Sequence, residues 1–272
     1  MKIFEEFGIR EELVRAIKEL GFEHLTPIQE KAIPVLKEGN KDFIGLAQTG
    51  TGKTAAFGIP LAELVDIDSK TIEALILAPT RELCVQIAND IESYCKYLKK
   101  IKIVAVYGGA SIETKINKIK KGAHIVVATP GRLNDLIRRK KINITNIKYV
   151  LLDEADEMLN MGFQEDIDTM LELTPKEKHT WLFAATMPDE IHKITKKYMS
   201  DPVELTIGTK NASAENIEHL YYVVHEKDRY TALKRIVDFN PDIFAIVFCR
   251  TKIETQEIAE KLIKDGYNAD SL

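Results

Sequence analysis

Asp42-Phe-Ile-Gly-Leu-Ala-Gln-Thr-Gly-Thr-Gly-Lys-Thr54 is an apolar, strand-like run that empties into a glycine-bearing loop and then, through Ala55, Ala56 and Phe57, into a helix-like run. Gly50 and Gly52 let the backbone turn its N–H groups inward, and the helix N-terminus that follows adds the positive end of a dipole. Together they form a cradle for a di- or triphosphate, with Lys53 reaching the outer phosphates and Thr54 holding magnesium. Ala47, Gln48, Thr49, Gly50, Thr51, Gly52, Lys53 and Thr54 are the candidate nucleotide contacts. The usual pattern opens on glycine; Ala47 is acceptable in that slot if the backbone there needs no positive φ.

Strand, loop and helix form one unit of an alternation that runs through most of the chain. β-branched runs at Glu73 to Ala78, Lys102 to Val106, His124 to Ala128, Tyr149 to Leu152, Thr180 to Ala184 and Val203 to Ile207 are separated by stretches of helical periodicity. That pattern predicts a parallel sheet covered by helices, its continuously apolar strands buried on both faces. Ligands of such sheets sit at the carboxyl ends of the strands, which is where the chemically suggestive residues fall.

Ahead of the loop, Leu13, Val14, Ile17 and Leu20 recur at helical spacing and Gly21 supplies a stop. Thr26, Pro27 and Gln29 form a capping-box sequence for the next helix. Gln29 is explained by that role alone, or by its amide reading the edge of adenine with Phe22 as a ring to stack on the base. Gly108-Gly109, Thr129-Pro-Gly-Arg132 and Thr80-Arg81-Glu82 are strand-to-helix turns. Each is ordinary turn chemistry on its own; on one rim, their N–H groups, hydroxyls and two arginines would suit a string of phosphates. The lysines at 115, 118, 120 and 121 and the basic run Arg138 to Lys141 are expected on solvated helix faces.

Lys148 to Asp156 is the second chemical stretch, a buried strand that ends in three carboxylates. Acids crowd there at a cost unless a cation is present. Asp153 is the candidate magnesium ligand alongside Thr54, and Glu154 the group that orients and deprotonates the attacking water. Met158, Met161 and Phe163 are read as packing.

Composition excludes several classes. The 272 residues are 45% hydrophobic and 29% charged, with a net charge of −4, so a polyanion site has to be a local patch. Cys84, Cys95 and Cys249 lack metal or disulfide spacing and fit a reducing, cytoplasmic setting. No run approaches the ~18 apolar residues of a membrane span, and the N-terminus lacks a signal-like apolar stretch. Residues 1–206 are expected to form one domain, 207–216 a polar linker, and 217–272 an incomplete second α/β domain with strands at Leu220 to Val224 and Ile243 to Phe248.

These residues resemble the DEAD-box ATP-dependent RNA helicases, whose name stands here as Asp153-Glu154-Ala155-Asp156. Phe4, Gly21-Phe22 and Thr26 to Gln29 are similar to the family's adenine-reading motif, and Ala47 to Thr54 to its phosphate loop, opening alanine included. Pro79 to Leu83, Gly108-Gly109 and Thr129 to Arg132 resemble its RNA-backbone motifs, and Val247 to Thr251 the first motif of its second RecA-like domain, with an RNA-side role for Arg250 and Thr251. The resemblance implies a RecA-like fold, ATP and Mg2+ as cofactors, and a monomer that grips RNA at Thr80, Arg81, Gly108, Gly109, Thr129, Gly131 and Arg132.

Two departures qualify that picture. The family's Ser-Ala-Thr, which couples ATP chemistry to strand separation through Asp156, is Ala184-Ala185-Thr186 here, so one hydroxyl partner of Asp156 is expected to be missing. The later motifs that bring arginines to the γ-phosphate do not occur, and such an arginine can contribute ~10³ or more in rate. The chain as given is therefore expected to bind nucleotide and hydrolyse it poorly; the alternatives are a non-catalytic ATP-gated RNA clamp or a truncated product.

Overall fold

The computed structural model describes residues 4–108, 112–208, 218 and 220–271. The chain divides into two compact units, Met1–Glu215 and Asn216–Leu272.

The first unit holds seven strands: β1 (Phe43–Leu46), β2 (Ala74–Leu77), β3 (Ile103–Val106), β4 (Ile125–Ala128), β5 (Tyr149–Leu152), β6 (His179–Ala184) and β7 (Val203–Thr206). They form one sheet in the order β3-β4-β2-β5-β6-β1-β7, and every pairing is parallel. The register aligns Leu46 with Ala184, Leu77 with both Leu152 and Ala128, and Val106 with Ala128, so the strands finish on one rim. Alternate residues serve opposite layers. Tyr149 and Leu151 enter one buried cluster, Val150 and Leu152 the other. This is why the strands read as continuous apolar runs.

The helices of this unit are α1 (Glu11–Glu19), α2 (Pro27–Glu38), α3 (Lys53–Leu64), α4 (Arg81–Tyr94), α5 (Ile112–Lys120), α6 (Pro130–Arg138), α7 (Ala155–Asn160), α8 (Gln164–Leu173) and α9 (Asp189–Tyr198). Helix α1 buries Leu13, Val14, Ala16 and Ile17 on one stripe, but Leu20, expected on it, lies at the C-cap and is exposed. Helix α3 is different, with every residue from Ala55 to Ala62 buried. Small residues make that possible: a Cβ on Gly58 would stand 2.9 Å from Ile91 of α4, so only glycine allows the two helices this approach.

Asp42 fastens the amino end of the sheet. Its carboxylate accepts from Thr180 N–H and Ser200 N–H, both at 2.6 Å, which ties the entries of β1 and β6 to the turn before β7.

The second unit contains α10 (Arg229–Phe239) and α11 (Lys252–Lys264). The strands expected at Leu220 to Val224 and Ile243 to Phe248 do not form: neither segment has a ladder partner among the described residues, and Val223 and Phe248 are each 91% exposed. A β-branched run becomes a strand only when a neighbour takes up its N–H and C=O groups. Most of the polar stretch 207–216 lies outside the described residues.

Candidate nucleotide site and nucleic-acid cleft

The loop after β1 turns through two left-handed glycines, Gly50 at φ 75° and Gly52 at φ 90°. Ala47 is not among the positive-φ residues, so its side chain is tolerated where glycine would be usual. The Ala47 N–H donates to Ala184 O at 3.0 Å, and its carbonyl accepts from Lys53 Nζ at 3.2 Å. The glycine-bearing loop is thereby held to the end of β6. Thr51 Oγ1 donates to Gln48 O at 2.8 Å, closing the tip, while Thr49 and Gly50 are exposed. Helix α3 starts at Lys53, so its free N–H groups face the loop.

Gln29 joins the second helix to this loop. Its Oε1 accepts from Thr26 N–H at 2.9 Å and its Nε2 donates to Gly52 O at 3.1 Å. The capping role does not exhaust the side chain, because the same amide that starts α2 also holds the loop after β1. Phe22 is partly exposed, its ring tilted against Tyr94 at 6.2 Å.

Asp153 follows β5 and is 3% exposed. Burial is the main reason its carboxyl is pushed up to about 6; Lys53 pulls it down, and Glu154 and Asp156 push it further up. Glu154 holds φ 50° and ψ 50°, a left-handed conformation costly for a residue with a side chain, and its N–H donates to Asp153 Oδ1 at 3.1 Å. Asp156 Oδ2 accepts three hydrogen bonds, from Ala185 N–H at 3.1 Å, Thr186 N–H at 2.8 Å and Thr186 Oγ1 at 2.8 Å. Backbone donors occupy the place where a missing hydroxyl was expected to leave Asp156 short. The Ala184 side chain is fully buried in the second core cluster.

The hydroxyl of Thr54 and the carboxylate of Asp153 are hard oxygen donors, and Asp153 is an acid crowded by two others. Both features fit magnesium. Among the described residues no group of three or more His, Cys, Asp or Glu is gathered to hold a metal by itself, as is usual where phosphate oxygens and water complete the shell.

A second feature opens on the same rim. A cleft of about 530 Å³ is lined by Thr80, Arg81, Gly108, Thr129, Gly131 and Arg132, gathered from the turns after β2, β3 and β4. Gly109 lies outside the described residues. Thr80 Oγ1 caps α4 by accepting from Leu83 N–H at 3.2 Å. Arg132 is partly engaged, its Nη1 3.0 Å from Asp135 Oδ2. Met161, expected to pack, is 48% exposed on the wall of this cleft. The run Arg138 to Lys141 and lysines 118, 120 and 121 are exposed as expected, but Lys115 is not; its ammonium lies against the Tyr107 ring. Sequence spacing carried no signal for that contact, which depends on how β3 meets α5.

A parallel sheet that gathers a glycine-bearing loop, a buried lysine and an acid cluster on one rim is arranged to handle phosphates. The profile of the DEAD/DEAH box helicase family matches residues 26–194, and the chain belongs to that family. The DEAD-box ATP-dependent RNA helicase CshA of Geobacillus kaustophilus is 44% identical over 272 residues, all of this chain and 58% of that protein. The ATP-dependent RNA helicase CshA of Listeria monocytogenes is 46% identical over 272 residues and is covered to 52%. Among solved structures, a DEAD box protein from the hyperthermophile Methanococcus jannaschii matches with a TM-score of 0.71 at 43% identity, over 99% of this chain and 72% of that one. The chain thus spans little more than half the length of the curated relatives it matches. No helix among the described residues is long and apolar enough to cross a membrane.

Proposed function

We propose that the chain carries the ATP- and RNA-binding machinery of an ATP-dependent RNA helicase, with RNA-stimulated ATP hydrolysis coupled to local opening of an RNA duplex. In this reading residues 1–206 are a RecA-like domain, 207–216 a linker and 217–272 the beginning of a second RecA-like domain. Phe22 and Gln29 take the adenine. The loop from Ala47 to Thr54 cradles the phosphates, with Lys53 on the outermost of them. Thr54 and Asp153 would hold Mg2+, which when bound offsets the charge of the phosphate oxygens. Glu154, turned out of the strand direction by its left-handed backbone, orients the attacking water and accepts its proton.

The observation that carries this reading is a chain of contacts across three loops on one rim. Lys53 bonds to Ala47, Ala47 to Ala184, and two residues beyond Ala184 Thr186 bonds to Asp156. The nucleotide loop and the acid cluster are thus joined through the end of β6. RNA is held by its sugar-phosphate backbone at Thr80, Arg81, Gly108, Gly109, Thr129, Gly131 and Arg132, which implies little sequence preference and strong salt dependence. The three cysteines are free thiols, which suits the cytoplasmic setting of this reading.

The test is steady-state ATP hydrolysis with and without single-stranded RNA, beside a nucleotide titration and a Glu154→Gln control. RNA stimulation that vanishes in Glu154→Gln supports the helicase reading. Because this chain is expected to turn over slowly, residual hydrolysis is followed under single-turnover conditions; a rate identical in the parent and in Glu154→Gln, with nucleotide and RNA still bound, would replace the helicase reading with an ATP-gated RNA clamp.

A further inference from the structure

The Lys115 ammonium lies 2.9 Å from the centroid of the Tyr107 ring, and the Arg81 guanidinium approaches the same ring at 5.6 Å. Two cations therefore share one aromatic ring. The Lys115 Nζ is shielded from solvent and meets no acceptor in good hydrogen-bond geometry, so Tyr107 is the group that chiefly favours its charge. A ring face attracts the charge but does not take up three N–H groups as oxygens would, so the ammonium is left incompletely satisfied. Burial pulls its pKa below the ordinary lysine value; Tyr107 opposes that shift, and Arg81 adds to it.

The surroundings show what would satisfy it. A second cleft of about 530 Å³ is lined by Arg81, Glu82, Gln86, Asn89, Asp90 and Tyr107, and it shares Arg81 and Glu82 with the cleft already described. Glu82 and Asp90 are the acids of this second cleft, yet neither pairs with Lys115. A strand that lies along Thr80, Gly108 and Arg132 has a continuous path over Arg81 onto the Tyr107 face.

We propose that Lys115 is a further phosphate ligand of the RNA track, parked on the Tyr107 ring in the free protein and released to a backbone phosphate arriving over Arg81. The assignment rests on the RNA-backbone reading above. The four-carbon stem supplies the reach, and the incompletely bonded ammonium supplies the differential affinity, since it gains acceptors only when the strand is bound.

The experiment is a salt titration of the binding of labelled oligouridylate to the full chain, at saturating non-hydrolysable ATP analogue. Lys115→Gln is expected to lower the magnitude of the log–log salt slope by roughly 0.7 and to weaken binding several-fold, equally on oligouridylate and oligoadenylate. It is also expected to raise the melting temperature of the free protein, because a shielded and incompletely bonded charge has been removed. Lys115→Arg keeps the slope. A lysine with only a structural role would shift the melting temperature and leave the slope alone. An unchanged slope in Lys115→Gln, with RNA binding by the parent chain intact, overturns the inference. Absence of salt-dependent RNA binding by the parent chain overturns the RNA reading and this assignment with it.

Discussion

Thr186 bonds Asp156 twice, through its N–H and through its hydroxyl, both at 2.8 Å on the same carboxylate oxygen. The acid that closes the cluster after β5 is thus held by the turn after β6, and the hydroxyl is the only side-chain donor among its three partners.

Removing that hydroxyl separates coupling from binding. Thr186→Ala leaves two backbone N–H donors on Asp156 and should cost about 1 kcal/mol of stability, the net worth of one hydrogen bond to a charged group at an exposed site. Nucleotide affinity should stay within twofold, since the hydrogen bonds of Thr186 go to Asp156 and not to the loop at 47–54, while RNA stimulation of hydrolysis falls. Thr186→Ser should retain it. A stimulated rate in Thr186→Ala equal to the parent's would show that the backbone donors suffice and that the hydroxyl has no part in coupling.

Gly52 is required on two independent counts. Its φ of 90° is left-handed, and a Cβ there would stand 2.5 Å from Gln29 Nε2. Gly52→Ala should therefore cost roughly 1–2 kcal/mol in backbone strain. Displacement of the Gln29 amide adds to that. ATP affinity should fall at least tenfold, read by titration with a fluorescent nucleotide. Gly50→Ala is the informative comparison, because a Cβ at Gly50 meets nothing within 4 Å although φ is also positive. If the two substitutions weaken binding equally, the contact with Gln29 contributes nothing beyond strain.

The sheet and the two chemical stretches were legible because each rests on local pattern: an apolar run, a glycine at a turn, an acid after a strand. Strands β2 to β7 fall within a residue or two of the runs read from sequence; for β2, β4, β5 and β6 burial on both faces leaves no alternation to confuse them, while the edge strand β7 is only partly buried. The donors on Asp156 were not legible. The Ala185 N–H belongs to the backbone, and sequence comparison counts only side chains. Nor was the Asp42 clasp, which joins residues 138 and 158 positions apart. Lys115 was misread for the same reason, because helical charge spacing says nothing about an aromatic ring on a neighbouring strand. The missing strands near Tyr221 and Phe244 show the converse limit: β-propensity marks a segment that can pair, and pairing needs a partner.

The thiols give a pH signature of the folded core. Burial pushes Cys84 up to about 12 and Cys95 likewise up to about 12, against about 8.5 for a free cysteine. Both folded-state values lie above the unfolded one, so folding favours the protonated form. The stability this contributes is whole below about pH 8.5 and is lost as pH rises toward 12, because the unfolded chain releases these protons first. Urea midpoints should therefore fall steadily between pH 9 and pH 11 by an amount that Cys84→Ala/Cys95→Ala reduces, measured against the variant's own midpoint at pH 7. Cys249 in the second unit is only half-buried, so a reagent can reach it in the folded chain. At neutral pH a thiol reagent should label one cysteine of three quickly and the other two only at the rate of unfolding. Rapid labelling of two or three thiols would mean that α4, which carries Cys84 and is followed by Cys95, opens far more readily than its packing against α3 implies.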